Sequence, residues 1–207
     1  MDADHVRRHS GIDALILAGG QNKRIPVPKG LLIVDGERLI DRNVRLLRRA
    51  CDRVFISTDR PDVYFYTGAL LVGDTLPQRG PMTGICSALN IPDVSLLFVV
   101  ACDMPFINVI LMQRLIGEWD KRWDAVVPMH NGKPEPLFAL YGKRCAALME
   151  ERVKGGDRSV QRFLRTVRVR FVTEDEVRKY DPEGRTFVSI NTPEDYRRET
   201  GGDICSD

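Results

Sequence analysis

Leu96-Leu97-Phe98-Val99-Val100-Ala101 is an unbroken apolar run that stops abruptly at Cys102-Asp103-Met104-Pro105. It is far shorter than the roughly 20 residues of a membrane helix. A short run apolar at every position offers no face to water, so it reads as a strand covered on both sides. Further short runs, Ala14–Leu17, Val54–Ser57, Ala69–Val72 and Ala125–Met129, alternate with amphipathic stretches at helical spacing. From Leu39 to Cys51, the apolar Leu39, Ile40, Val44, Leu46 and Leu47 alternate with arginines. Met82–Asn90, entered from Gly80-Pro81, and Ile107–Trp119 are the next helices. This rhythm predicts an α/β fold in three layers, a mostly parallel Rossmann-like sheet with helices on both faces.

The second half is less regular. Leu31–Val34 and Leu137–Tyr141 read as extended, Lys143–Val153 and Ser159–Leu164 as helices, and Val167–Thr173 as a strand. Thr186–Ile190 is expected to be a last strand, and Pro193 opens a terminal helix at the position where proline suits one best. No repeat or linker divides the chain, so residues 1–207 form one expected domain, with 1–11 and 200–207 as flexible ends.

In such sheets ligands bind beyond the carboxyl ends of the strands, near the point where strand order reverses. The loops after Leu17, Ser57, Val72 and Ala101 are therefore where chemistry is expected. The first runs Leu17-Ala18-Gly19-Gly20, then Lys23, Arg24 and Lys29, with Pro26 and Pro28 between the cations. Paired glycines let a ligand approach main-chain N–H groups, and the cations answer the charge of a triphosphate. The string is neither GxxxxGK[ST] nor GxGxxG, which excludes a P-loop and a dinucleotide fingerprint. Asp103, at the end of the buried strand, reads either as a turn-forming residue before proline or as a ligand for a hard dication. Asp74, in Val72-Gly73-Asp74, reads either as a loop cap or as an acceptor for the N1–H and N2–H of a guanine.

Lys and Arg number 31 against 29 Asp and Glu, so no global field draws the chain to nucleic acid or a membrane. The five cysteines show no CxxC spacing, and free thiols are expected. With the polar opening MDADHVRRHS this points to a cytoplasmic protein without a signal peptide. His5 and His9 lack a third ligand, and Arg42, Arg45, Arg48 and Arg49 read as a solvated helix face.

Leu17, Ala18, Gly19, Gly20, Arg24 and Lys29 match the pattern LAGGxSxRMGxxK, and Cys102-Asp103-Met104-Pro105 matches CDxP. Asn131–Tyr141 carries PLFALY, Ser159–Leu164 is similar to SxxxFL, and Ser189–Asp195 to NxNTPED, with Ser189 for the first asparagine. Together, over Leu15 to Asp195, these segments resemble the molybdenum cofactor guanylyltransferase family and its nucleotidyltransferase relatives. The resemblance implies a nucleotide-diphospho-sugar transferase-like fold that transfers GMP from Mg-GTP to molybdopterin and releases pyrophosphate. It implies Arg24, Lys29 and Asp103 as catalytic residues and Mg²⁺ on Asp103. It also implies a nucleotide site of Leu17, Ala18, Gly19, Gly20, Lys29, Ser57, Asp74, Asp103 and Asn191, with Asp74 on guanine. Ser57 stands where the family presents asparagine, and Asp59 is a nearby substitute. GTP and molybdopterin would be the substrates, with molybdoenzymes or cofactor-delivery proteins as protein partners and no nucleic acid or membrane.

Pro26 replaces the usual glycine, Pro28 often an aspartate, and Glu135 the usual His or Gln before Pro-Leu. Each proline removes an amide donor. Two alternatives stay open: a relative with another base or acceptor, of cytidylyltransferase or sugar-nucleotide type, or a catalytically weak protein that binds GTP or the cofactor.

Overall fold

The computed structural model describes residues 10–19 and 24–204. Gly20 and Lys23 of the first loop, His5, His9, Cys205 and the outermost residues of both expected flexible ends lie outside the described residues. In chain order the elements are β1 (Ile12–Leu17), a 3₁₀ turn (Lys29–Leu31), β2 (Ile33–Val34), β3 (Glu37–Arg38), α1 (Leu39–Arg48), β4 (Val54–Ser57) and α2 (Pro61–Tyr64). Then come β5 (Leu70–Val72), α3 (Pro81–Leu89), β6 (Leu96–Ala101), α4 (Val109–Gly117), β7 (Ala125–His130), β8 (Lys133–Pro134) and β9 (Phe138–Gly142). The chain continues through α5 (Cys145–Lys154), α6 (Val160–Leu164), β10 (Val169–Val172), α7 (Glu174–Arg178) and α8 (Pro193–Thr200).

The main sheet runs β10-β7-β9-β6-β1-β4-β5, with β8 paired to β7. β1 lies parallel to both β4 and β6, and β9 is antiparallel to β6 and β7. Strand order reverses between β1 and β6, because the chain builds outward through β4 and β5 and then crosses back over β1. Alternation along the strands divides the core in two. Ala14, Ile16, Phe98 and Val100 face one way, onto Ile40, Val44 and Leu47 of α1 and Leu111, Met112 and Leu115 of α4. Leu15, Leu97 and Val99 face the other, onto Met82, Ile85 and Leu89 of α3 and Met149 and Val153 of α5. β6 is the strand fully apolar on both faces, and it lies in the middle.

The expected strand Thr186–Ile190 does not form. A 3₁₀ turn occupies Arg185–Phe187 instead, entered at Gly184 with φ 65°. The backbone N–H groups of Arg185 and Thr186 donate to the two carboxylate oxygens of buried Asp181, at 3.0 and 2.9 Å. Those donors are spent on a local turn and cannot enter a ladder. The segment then runs to Ile190, whose N–H donates to the Asp103 carbonyl at 3.0 Å.

Asp181→Ala should leave buried N–H groups without an acceptor and destabilise the fold by about 1–3 kcal/mol. Asp181→Asn should lose less, and urea unfolding of the two variants measures the difference.

Candidate functional site

The carboxyl edge of β1 is held from both sides. The Ala18 N–H donates to the Ser57 carbonyl at 2.9 Å, and the Cys102 N–H to the Leu17 carbonyl at 3.1 Å. Leu17, Ala18 and Gly19 thus stand beside Ala101, Cys102 and Asp103 at the strand-order reversal. They line one cavity of about 680 Å³ together with Arg24, Ile25, Pro26, Val27, Pro28, Lys29 and Asn191. A Cβ on Gly19 would meet no protein atom closer than 3.8 Å. The protein's own packing therefore does not require glycine there, and the free space belongs to the cavity.

The basic loop is pinned by Ile25, which is buried with Leu32, Val34, Leu39, Ile190 and Tyr196. Pro28, at φ −55°, leads into the 3₁₀ turn that presents Lys29. The Lys29 ammonium donates to Asp103 Oδ2 at 2.8 Å and to Asn191 Oδ1 at 2.6 Å. Both members of the ion pair are largely withdrawn from water, with side-chain exposures of 22% and 14%. Asn191 is itself fixed by the start of α8. Its N–H and that of Thr192 both donate to Asp195 Oδ2 at 3.0 Å, and the Thr192 hydroxyl accepts from the Asp195 N–H. Burial disfavours the Asp195 carboxylate, but these donors and Arg198 outweigh it and hold its pKa below the ordinary range.

Arg24 is exposed on the cavity wall. Cys102 is no nucleophile: burial first, and the Asp103 charge next, push its thiol up to about 12. Ser57 lies outside the lining; it is 5% exposed and packs under α3, where a Cβ on Gly84 would come within 2.5 Å of its hydroxyl. Asp74 also lies outside the lining, exposed just beyond β5. Desolvation raises its pKa and the nearby Asp59 charge raises it further, against the pull of Arg79. Arg79 in turn pairs with Asp59 at 2.7 Å. His130 stacks on Phe187 with ring centroids 4.6 Å apart and does not line the cavity. Glu135 is half-buried, and burial raises its pKa against the opposing charge of Lys133.

Arg60, Tyr64, Pro81 and Leu137 complete the wall without having been singled out in the sequence. The strand-end rule did point to the loop after Ser57, and Pro61 marks the start of the short helix that carries Tyr64. Among the described residues, no group of three or more His, Cys, Asp or Glu side chains could hold a metal, and no helix is long and apolar enough to cross a membrane.

Residues 14–175 match the family model described as the MobA-like NTP transferase domain. A molybdenum cofactor guanylyltransferase of Desulfosudis oleivorans is 31% identical over 90% of this chain and 93% of that protein. A probable molybdenum cofactor guanylyltransferase of Pelotomaculum thermopropionicum is 35% identical over 87% of this chain and 88% of the other. Among solved structures, molybdopterin-guanine dinucleotide biosynthesis protein A from Archaeoglobus fulgidus superimposes with a TM-score of 0.79 at 27% identity, covering 91% of this chain and 97% of that one. The expected α/β architecture thus recurs in a relative along nearly its whole length. The chain belongs to the MobA-like NTP transferase family and is a nucleotidyltransferase.

Proposed function

We propose that this chain transfers GMP from Mg-GTP to the phosphate of molybdopterin and releases pyrophosphate. The observation that carries the reading is the convergence of Lys29, Asp103 and Asn191 on one cavity that Gly19 leaves open. The names of the relatives supply the substrates.

In this reading the triphosphate lies over Leu17, Ala18 and Gly19, with Gly20 continuing the cradle. An oxygen of the acceptor phosphate forms a new bond to the α-phosphorus, in line with the α–β bridging oxygen. That bridging bond breaks, and the pyrophosphate leaves with its electron pair. Lys29 and Arg24 meet the charge that builds on the α-phosphoryl and leaving oxygens. Asp103 Oδ2 and Asn191 Oδ1 already approach one cation at oxygen-contact distance, a donor set suited to a hard dication that fills its remaining positions with phosphate and water. When bound, Mg²⁺ would supply Lewis-acid neutralisation of the phosphates. Lys29 is then released from its carboxylate and free to contact the nucleotide.

Guanine is assigned to Asp74 at the rim, and Ser57 contributes through its main chain, which holds Ala18. The raised pKa of Glu135 eases the approach of an anionic acceptor, because its carboxyl gives up charge more readily than an ordinary one. Pro28 offsets its missing amide by presetting the turn that bears Lys29. Both features favour an active enzyme over a protein that only holds its ligand. With apolar segments too short to span a bilayer and substrates of the cell interior, the cytoplasm is the proposed location.

Asp103→Ala should lower turnover at least about 100-fold while the circular dichroism spectrum stays native. Wild-type rates of pyrophosphate release in that variant would remove Asp103 from the mechanism. Lys29→Ala should weaken GTP binding, measured by calorimetry, without changing the preference among bases; unchanged affinity counts against its phosphate role. Asp74→Ala should narrow the preference for GTP over ATP by about 5- to 100-fold, the worth of an acceptor left unpaired by the wrong base. A wild-type protein that prefers CTP in the same titrations overturns the guanine assignment.

A further inference from the structure

Behind Lys29 lies a contact that the transfer reaction itself does not use. Tyr64 ends α2 and is 2% exposed, yet its ring forms part of the cavity wall. Against it lies Gly30, the buried neighbour of Lys29. A Cβ on Gly30 would come within 2.9 Å of the ring edge, 3.0 Å of the phenol oxygen and 3.3 Å of the Ile40 Cβ. The ring therefore packs directly on the main chain of the Lys29–Leu31 turn, at a distance only glycine permits. The Gly30 N–H also hydrogen-bonds the phenol oxygen, and burial keeps the hydroxyl protonated far above its ordinary range. The backbone of Tyr64 is tied down in turn, its carbonyl accepting from the Thr67 hydroxyl at 2.8 Å.

We infer that Tyr64 is a positioning residue for Lys29: ring and hydroxyl brace the Lys29–Leu31 turn and deliver the ammonium to Asp103 and Asn191. A lysine has a flexible four-carbon stem, so a fixed base is what confines its charge to one end of a cavity. The turn is short, and Pro28 fixes its entry but not its inclination to the sheet. Tyr64 supplies that second constraint from a different segment, the loop beyond β4. It thereby couples the wall carrying Asp59 and Arg60 to the residue that meets the phosphates. The effect on nucleotide affinity rests on the function proposed above; the bracing does not.

Tyr64→Phe keeps the ring and deletes the hydroxyl, leaving the Gly30 N–H without its acceptor. In nucleotide-free protein, the rate at which acetic anhydride modifies Lys29, read by peptide mass spectrometry, should rise about two- to tenfold, the change expected for one lost hydrogen bond. Lys133 and Lys154, remote from the turn, should react at unchanged rates. GTP affinity in the presence of Mg²⁺ should fall by a similar factor in Tyr64→Phe. In the Lys29→Ala background the same substitution should have no effect, because the residue it positions is gone. An unchanged Lys29 reaction rate overturns the inference, as does an equal loss of affinity in both backgrounds. Gly30→Ala, which pushes the turn off the ring, gives a second route to the same labelling change should Tyr64→Phe fold poorly. Faster labelling in a protein that binds no nucleoside triphosphate would uphold the brace and refute the nucleotide reading.

Discussion

An aspartate at the end of a strand buried on both faces has few ways to remain ionised, and that constraint organises this molecule. Asp103 follows directly on β6, the strand apolar on both sides, and its side chain is 14% exposed. A carboxylate so placed needs a counter-charge and hydrogen-bond donors. Lys29 provides both from 74 residues away in sequence, and shares its ammonium with Asn191, which lies 162 residues from it. Three distant segments thus meet at one nitrogen. Their backbones are joined as well, since Ile190 donates to the Asp103 carbonyl and Cys102 to that of Leu17. The same arrangement that settles a lone carboxylate prepares a site for a polyanion and a cation to exchange partners with it.

Each arm of that arrangement is made rigid by a different local device. The lysine stands on a 3₁₀ turn whose entry is preset by proline, and the asparagine precedes a helix closed by a reciprocal capping box. The aspartate loop is gripped from outside the cavity, where Arg42 donates to the Pro105 carbonyl and Asn43 to that of Met104. α1 therefore packs one face of the sheet and clamps the loop beyond β6 at once. The four arginines along it do not form a free solvated face: Arg42 reaches Asp35 and Pro105, Arg45 pairs with Glu37, and Arg48 donates to the Thr67 carbonyl.

The parts legible in the sequence are those whose cause is local. β4 and β6 stand where their apolar runs placed them, and α8 begins at Pro193. The strand-end rule led to Asp103 and to the glycine-and-base loop before any coordinates. What escaped was set by long-range pairing. β1 starts two residues earlier than its apolar run, because Asp13 is neutralised by a two-point contact with Arg53 at 2.9 and 2.7 Å and can enter the sheet. The segment 186–190 has a strand's composition, but Asp181 captures its donors. Ser57 looked like a ligand by position along the chain, whereas the close approach of α3 at Gly84 decides where its hydroxyl goes. Tyr64 carried no motif; its place depends on which backbone lies beneath its ring.

The two ends of the cleft differ in how firmly they are built, and the difference has a chemical logic. Every group at the phosphate end hangs from a strand terminus, a proline-led turn or a helix cap, and its charges are sequestered in mutual contact. The groups proposed to read the base, Asp74 with Asp59 and Arg79 beside it, stand on exposed loops after β4 and β5, toward the sheet edge. Displacement at phosphorus demands charges fixed to a fraction of an ångström, because stabilisation of the transition state falls off with misplacement. Choosing a base demands only a complementary pattern of donors and acceptors that the wrong base leaves unpaired, and a loop can present that. The geometry at Lys29, Asp103 and Asn191 therefore constrains the reaction class far more tightly than the rim constrains the nucleobase, so the chemistry can be inherited unchanged while base choice drifts with a few loop residues.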